Sequence, residues 1–331
     1  MLTGASGFAG SHVLRHLLAE TSWQIVCPVT FRHRGNSGRI ASALEGNDAW
    51  HERTKVIMHD LTAPLPSLAD RAGRCDYVIA MASESHVDRS ITGPVPFIRN
   101  NTDVILSTLE YARLAEPESV IVFSTDEVYG PMGDGDAPHA EWSPILPSNP
   151  YSASKACQEA IAIAYWRTYG VPVVIVNSMN LLGEMQDPEK FLPMLISKIS
   201  KGESVPVHGT PGNIGSRYFI HARNVADALL CILRELPPAG FPAAARPDRW
   251  NVVGERRLSN LELAQMTAAV MGRPLRYELT DFHSARPGHD PHYGLDGSKL
   301  AAAGWKPPVG FAESLERTVR WALSHPEWLA A

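Results

Sequence analysis

Three groups of residues have types and spacings suited to chemistry. Tyr151 and Lys155, in "YSASK", lie four apart ahead of helical sequence, so phenol and ammonium share one helix face. A nearby positive charge favours phenolate and lowers a tyrosine pKa toward working pH, as acid–base work requires. Asp126 and Glu127 end the apolar run of "VIVFSTDEVYG". Two close carboxyls in a low-dielectric pocket push their pKa values apart, leaving one acid and one base. The competing reading is a solvated turn. Neighbours on a straight strand point to opposite faces, so both carboxyls reach one ligand only if the extended chain ends at about Thr125. The third group, "TGASGFAG", spaces Gly4, Gly7 and Gly10 as G-x-x-G-x-x-G directly before the helical "SHVLRHLLAE". Such glycines let backbone approach a pyrophosphate, and the helix N-terminus offers unpaired N–H groups.

The elements that must position these groups are legible as alternation. "WQIVCPV", "KVIMHDL", "CDYVIAMAS", "SVIVFSTDE" and "VPVVIVNS" are short, Val/Ile-rich runs separated by stretches long enough for crossover helices. That pattern predicts an α/β fold, a Rossmann-type doubly wound parallel sheet over residues 1–178 that binds NAD(P). The chain opens directly on the glycine motif, so the first strand is expected to be short. Beyond about residue 178 the pattern loosens into pieces such as "HGTPGNIGS" and "ARPGHDPHYG". Residues 179–331 are expected to form mainly a smaller C-terminal substrate-binding lobe, with some segments returning to the main sheet. Phe311 to Leu323 reads as a closing amphipathic helix.

The second strand should end in an acid for the adenosine ribose if the cofactor is NAD. Here Val29 and Thr30 stand near that point, followed by Arg32, His33 and Arg34, a basic cluster suited to the 2′-phosphate of NADP or to a solvated loop. Asp60, ending "VIMHD", suits either an adenine contact or a helix cap.

At 331 residues the chain suits one large α/β unit, or a main domain with a smaller one. Its formal net charge of −5 supplies no basic field for nucleic acid. Cys27, Cys75, Cys157 and Cys231 lie far apart without zinc or disulfide spacing, so free thiols in a reducing cytosol and no metal are expected. No apolar run is long enough to span a bilayer.

Taken together, "TGASGFAG", "SESHVDRSI", "STDEVYG", "NPYSASK", "DPEKFLP", "NVADAL" and "RPGHDPHY…GWKP" resemble the extended short-chain dehydrogenase/reductase family, and within it the dTDP-glucose 4,6-dehydratases. The resemblance covers nearly the whole chain. It implies that Thr125 and Tyr151 act on the 4-hydroxyl of a nucleotide-linked hexose, with Lys155 beside the tyrosine. Asp126 would protonate the departing 6-hydroxyl, and Glu127 would take the proton from carbon 5. Cofactor contacts are implied for Gly4, Gly7, Phe8, Ala9, Gly10, Thr30, Arg32, Arg34, Asp60, Leu61, Met81, Ala82, Ser83, Tyr151 and Lys155. A tightly bound NAD or NADP, regenerated within each cycle, is expected; the basic loop favours NADP and the resemblance NAD.

The resemblance implies substrate contacts at Glu84, Ser85, Asn180, Lys190, Phe191, Arg217 and Arg286, the cations facing a diphosphate. The usual "NNYGP" is altered here to "MNLLGE", so the contacts around 179–187 are open. His208, where an aromatic is usual, and His289 suit either a base or ribose contact or a structural role. Asn251 suits the nucleotide or a turn cap. Relatives that epimerise need no acid–base pair for elimination, which separates a retaining 4,6-dehydratase from them. The alternatives are a GDP-mannose or UDP-sugar dehydratase, an epimerase and, more remotely, a non-catalytic NAD(P) sensor. A cytoplasmic homodimer is expected, paired through the Tyr151 helix and the helix around "VILSTLEYAR".

Overall fold

The computed structural model describes residues 1–63, 67–133, 135–280 and 292–330. The five apolar runs become strands: β2 (Ile25–Val29), β3 (Thr54–Met58), β4 (Tyr77–Ala80), β5 (Ser119–Thr125) and β6 (Val173–Ser178), preceded by a two-residue β1 (Leu2–Thr3). All are parallel, in the order β1–β4–β5–β6, and β2 and β3 form a separate parallel pair beside β1. The short β1 spends its ladder on β4, which is why two ladders stand where one sheet is expected.

Burial follows the pleat. Ile121, Val174 and Val176 face one helical layer with Leu14, Leu17 and Leu229. Val120, Val122, Val173 and Ile175 face the other, with Leu109, Ala162 and Trp166. A strand covered on both faces must be apolar at every position, and each buried Val or Leu contributes about 1.5–3 kcal/mol. The helices Pro94–Ala115 and Pro150–Tyr169 pack on each other across this second layer.

The later half is more regular than its composition suggests. β7 (Asn180–Leu182) pairs with β10 (Ser216–His221), and "HGTPGN" is a hairpin joining β8 (Val205–Thr210) to β9 (Asn213–Ile214) around Pro211–Gly212. Gly212 has φ +87°, a left-handed position that glycine adopts without strain. β11 (Asp248–Val252) returns to the main sheet, parallel to β6. β12 (Arg257–Ser259) joins β10, and β13 (Tyr277–Thr280) joins β8. The closing helix spans Phe311–Ser324 and buries Leu315 and Val319 in this half's own core.

Candidate active site

Between β1 and β4 the chain changes winding direction, and the carboxyl ends of the strands open there. A cavity of about 690 Å³ occupies that end, within the range of small-molecule sites. At its floor Gly4 has φ +77°, and a Cβ on it would stand 2.9 Å from the Ala82 nitrogen. A Cβ on Gly10 would meet the Gly4 carbonyl at 2.1 Å, so the turn closes only with glycine at both places. The helix Phe8–Glu20 then begins at Gly7 with no side-chain cap and no acid in its first turn. Its leading N–H groups stay available to an anion, and Gly7, Phe8 and Ala9 line the cavity. Thr3 Oγ1 accepts from the Met81 and Ala82 nitrogens at 3.0 Å, which fixes the strand end that Ser83 follows. This cradle fits a dinucleotide pyrophosphate.

At the other end β5 stops at Thr125, and Asp126–Tyr129 turn into a 3-10 helix. The bend that the acid pair requires is therefore present. Both carboxyls line the cavity, together with Thr125, Tyr151 and Lys155. Thr125 Oγ1 donates to Asp126 Oδ1 at 3.0 Å, whereas Asp126 Oδ2 is buried without a partner among the described residues. Burial, reinforced by the Glu127 carboxylate, pushes Asp126 up to about 7. Glu127 Oε2 accepts from Asn149 Nδ2 at 3.0 Å. Asn149 also caps the helix Pro150–Tyr169 through a capping box with Ser152, so one residue ties the second carboxylate to the helix that carries Tyr151.

The expected effect of Lys155 on Tyr151 is not what the geometry provides. The ammonium donates to the Phe123 carbonyl and to Gln158 Oε1, each at 2.6 Å. Burial first, then the charges of Glu127 and Asp126, hold the phenol well above its ordinary range, with Thr125 acting the other way. Burial in turn lowers Lys155 to about 8.

The remaining predicted residues divide by position. Thr30, Asp60, Leu61, Met81, Ala82, Ser83, Glu84, Ser85, Asn180, Lys190, Phe191, His208 and Arg217 all line the cavity. Lys190 Nζ donates to the Ser85 carbonyl at 3.2 Å, and Arg217 stacks 4.6 Å over Tyr293. Asn251 is a correction: it is fully buried away from the cavity, donating to the carbonyls of His139 and Asp296 at 3.1 Å. A polar residue ending a strand reads alike whether it serves a ligand or fastens a neighbouring loop. Arg32 and Arg34 line the cavity but are engaged, Arg32 by Asp60 and Arg34 by Glu189 at 2.7 Å. Asp60 also accepts from the Thr62 nitrogen and hydroxyl. Arg286 and His289 lie outside the described residues.

Two groups carry no signal of their own in the sequence. Glu189, inside "DPEKF", receives Arg34 and Arg89, and all three line the cavity. Glu184, in the altered "MNLLGE", accepts from His221 Nε2 at 2.9 Å and from Arg317 at 3.0 Å, and its carbonyl meets His12 at 3.0 Å. His221 Nδ1 accepts from the Arg223 nitrogen, so Nε2 carries the proton and this trio is a clamp between segments rather than a set of open metal ligands.

Comparison with known proteins agrees with this geometry. The model of the NAD dependent epimerase/dehydratase family matches residues 1–244. The chain belongs to that family. It is 34% identical to the probable dTDP-glucose 4,6-dehydratase of Sinorhizobium fredii, over 99% of this chain and 93% of the relative. It is 31% identical to the low-salt glycan biosynthesis protein Agl12 of Haloferax volcanii, over 99% of each. The crystal structure of the dTDP-glucose 4,6-dehydratase DesIV from Streptomyces venezuelae, with NAD and TYD bound, superimposes with a TM-score of 0.86 at 31% identity, covering 99% of this chain and 97% of that one. The extended short-chain dehydrogenase/reductase fold is thus shared over nearly the full length.

Proposed function

We propose that this protein is a retaining NDP-hexose 4,6-dehydratase, a hydro-lyase whose substrate is dTDP-glucose and whose cofactor is NAD. One observation carries the reading: Asp126 and Glu127 turn together into the dinucleotide cavity, one held protonated to about pH 7 with an unpartnered oxygen. Oxidation and epimerisation need no such pair, whereas elimination of water needs an acid and a base at once. The likeness to dehydratases over the full chain supports it, and NAD in the DesIV crystal supports the cofactor.

The glycine turn with Phe8 and Ala9 would hold the pyrophosphate, and Thr30, Asp60, Leu61, Met81, Ala82 and Ser83 the remainder of the dinucleotide. NAD, when bound there, would supply a reversible hydride acceptor for the sugar and a positive charge in the cavity. That positive charge would oppose the burial and the carboxylates that hold the phenol protonated, so Tyr151, once ionised, would accept the 4-hydroxyl proton, with Thr125 bonded to the same oxygen. Lys155, anchored on Phe123 and Gln158, lies in the same wall. The resulting 4-ketone acidifies carbon 5, whose proton would pass to Glu127 and be given back to carbon 5 as hydride enters carbon 6. Asp126 protonates the 6-oxygen, which leaves as water. Glu84, Ser85, Asn180, Phe191 and His208 surround the sugar, while Lys190 and Arg217 balance the diphosphate. In this division residues 1–178 hold the cofactor and carry the acid–base groups, and 179–331 mainly hold the sugar nucleotide. Pairing of the Pro94–Ala115 and Pro150–Tyr169 helices between two copies would cover the exposed Leu114 and Tyr169 in a homodimer.

Incubation of the purified protein with dTDP-, UDP- and GDP-hexoses, read by mass spectrometry, tests the assignment. Loss of one water from dTDP-glucose is the expected result. A protein that instead equilibrates epimers without losing water is not a dehydratase.

A further inference from the structure

The segment after β2 carries four basic side chains, and each meets a carboxylate from a different place in the chain. Arg32 pairs with Asp60, His33 with Glu84 at 3.4 Å, Arg34 with Glu189 at 2.7 Å, and Arg39 with Asp187 at 3.0 Å. The cluster is basic in sequence and balanced in space. Only one of these pairs is built wholly from the two strands beside the glycine turn. The β2–β3 register sets Val29 against Met58, so Arg32 and Asp60 leave neighbouring strand ends together. In dinucleotide folds that corner receives the adenosine ribose, where an acid favours a free 2′-hydroxyl and an arginine a 2′-phosphate.

We infer that the Arg32–Asp60 ion pair sets the coenzyme preference of this protein, with Asp60 holding the one arginine that would otherwise recognise the 2′-phosphate of NADP. The inference rests on the dinucleotide reading of the cavity. Both side chains line it, and Arg32 is 56% exposed, its fork held among the described residues by the Asp60 carboxylate. Asp60 opposes a phosphate twice, by repelling its charge and by occupying the guanidinium that would bind it. Arg34 is not equivalent, because its partner Glu189 also receives Arg89 and lies outside the corner made by the ends of β2 and β3. Arg39 is buried, donating to the carbonyls of Arg34 and Met185, and cannot turn toward a ligand.

The experiment incubates purified protein with equal concentrations of NAD and NADP, removes free nucleotide, and identifies what remains bound by chromatography after denaturation. Wild type should retain mainly NAD. Asp60→Asn, which keeps the turn's acceptor for Thr62, should raise the bound NADP:NAD ratio by roughly tenfold or more. Adding Arg32→Ala to that variant should return the ratio close to wild type. The inference is overturned if wild type already prefers NADP, if Asp60→Asn leaves the ratio unchanged, or if its gain survives loss of Arg32. A protein that retains neither nucleotide overturns the dinucleotide reading itself, a different result from any of these.

Discussion

Asp126 and Glu159 are both hidden carboxyls at the same end of β5, and the fold treats them in opposite ways. Glu159, fully buried, accepts from Ser124 Oγ, from Asn177 Nδ2 at 2.8 Å and from Arg249 Nη2 at 2.7 Å. Arg249 reaches it from β11 and also donates to Tyr129, within the turn that follows Asp126. Asp126, 4% exposed, has one oxygen on Thr125 and the other on nothing among the described residues. An unmade hydrogen bond at a buried group costs about 1–3 kcal/mol, so a stable fold rarely leaves one without compensation. The contrast separates two uses of buried charge. Glu159 fastens β5, β6, β11 and the Tyr151 helix together, and the rigidity it provides lets the neighbouring turn hold a carboxyl that is not fastened.

The comparison can be broken from either side. The largest effect is expected from Glu127→Gln, which removes the base while leaving an acceptor for Asn149. Water loss from the sugar nucleotide should slow about 10²–10⁴-fold, with reduced cofactor accumulating because the first oxidation survives. Stopped-flow absorbance of the reduced nicotinamide checks this; an unchanged rate of water loss removes Glu127 from the role of base. Glu159→Gln should act on stability instead. Leaving Arg249 charged and unpaired in a dry core should cost about 3–5 kcal/mol in urea unfolding, and pairing it with Arg249→Met should recover much of that loss. If Glu159→Gln instead abolished turnover at unchanged stability, the division drawn above would be wrong.

The two carboxyls also differ in how far sequence reveals them. Asp126, Glu127, Tyr151, Lys155 and the glycine turn are legible because each belongs to a short run whose neighbours state its setting, a strand end or a helix start. The bend at Thr125 follows from the chemistry, since both acids must face one ligand. Glu159 is seen only as a polar residue on a helix, because its partner Arg249 lies 90 residues away and arrives through the β6–β11 pairing. The same holds for Arg32 and Arg34, whose charges read as a phosphate site until Asp60 and Glu189 are placed beside them. Asn251 misleads for the converse reason: a strand end in the later half faces a loop, not the cavity. Contacts across a sheet have no local spacing to betray them, and in the later half the hairpin around Pro211–Gly212 is hidden by residues that also make loops.

The smallest of these effects sharpens the contrast through pH. Burial and the Glu127 charge raise Asp126 from the ordinary carboxyl range to about 7 in the folded protein, while the unfolded chain releases that proton near the ordinary aspartate value of 3.8. Between those pH values the folded state binds more protons than the unfolded state, so the contribution of Asp126 to stability is complete below about pH 4 and is lost as pH rises through about 7. A shift of this size corresponds to a penalty of about 4 kcal/mol above pH 7. Asp126→Asn carries no such charge. It should therefore match wild type in urea unfolding near pH 4, gain steadily toward pH 7, and keep a constant advantage above it, while losing dehydration at every pH. Wild-type water loss should fall above about pH 7 as the acid ionises. A variant whose gain is the same at pH 4 and pH 8 would show that Asp126 is not held protonated, and its role as the acid would go with it.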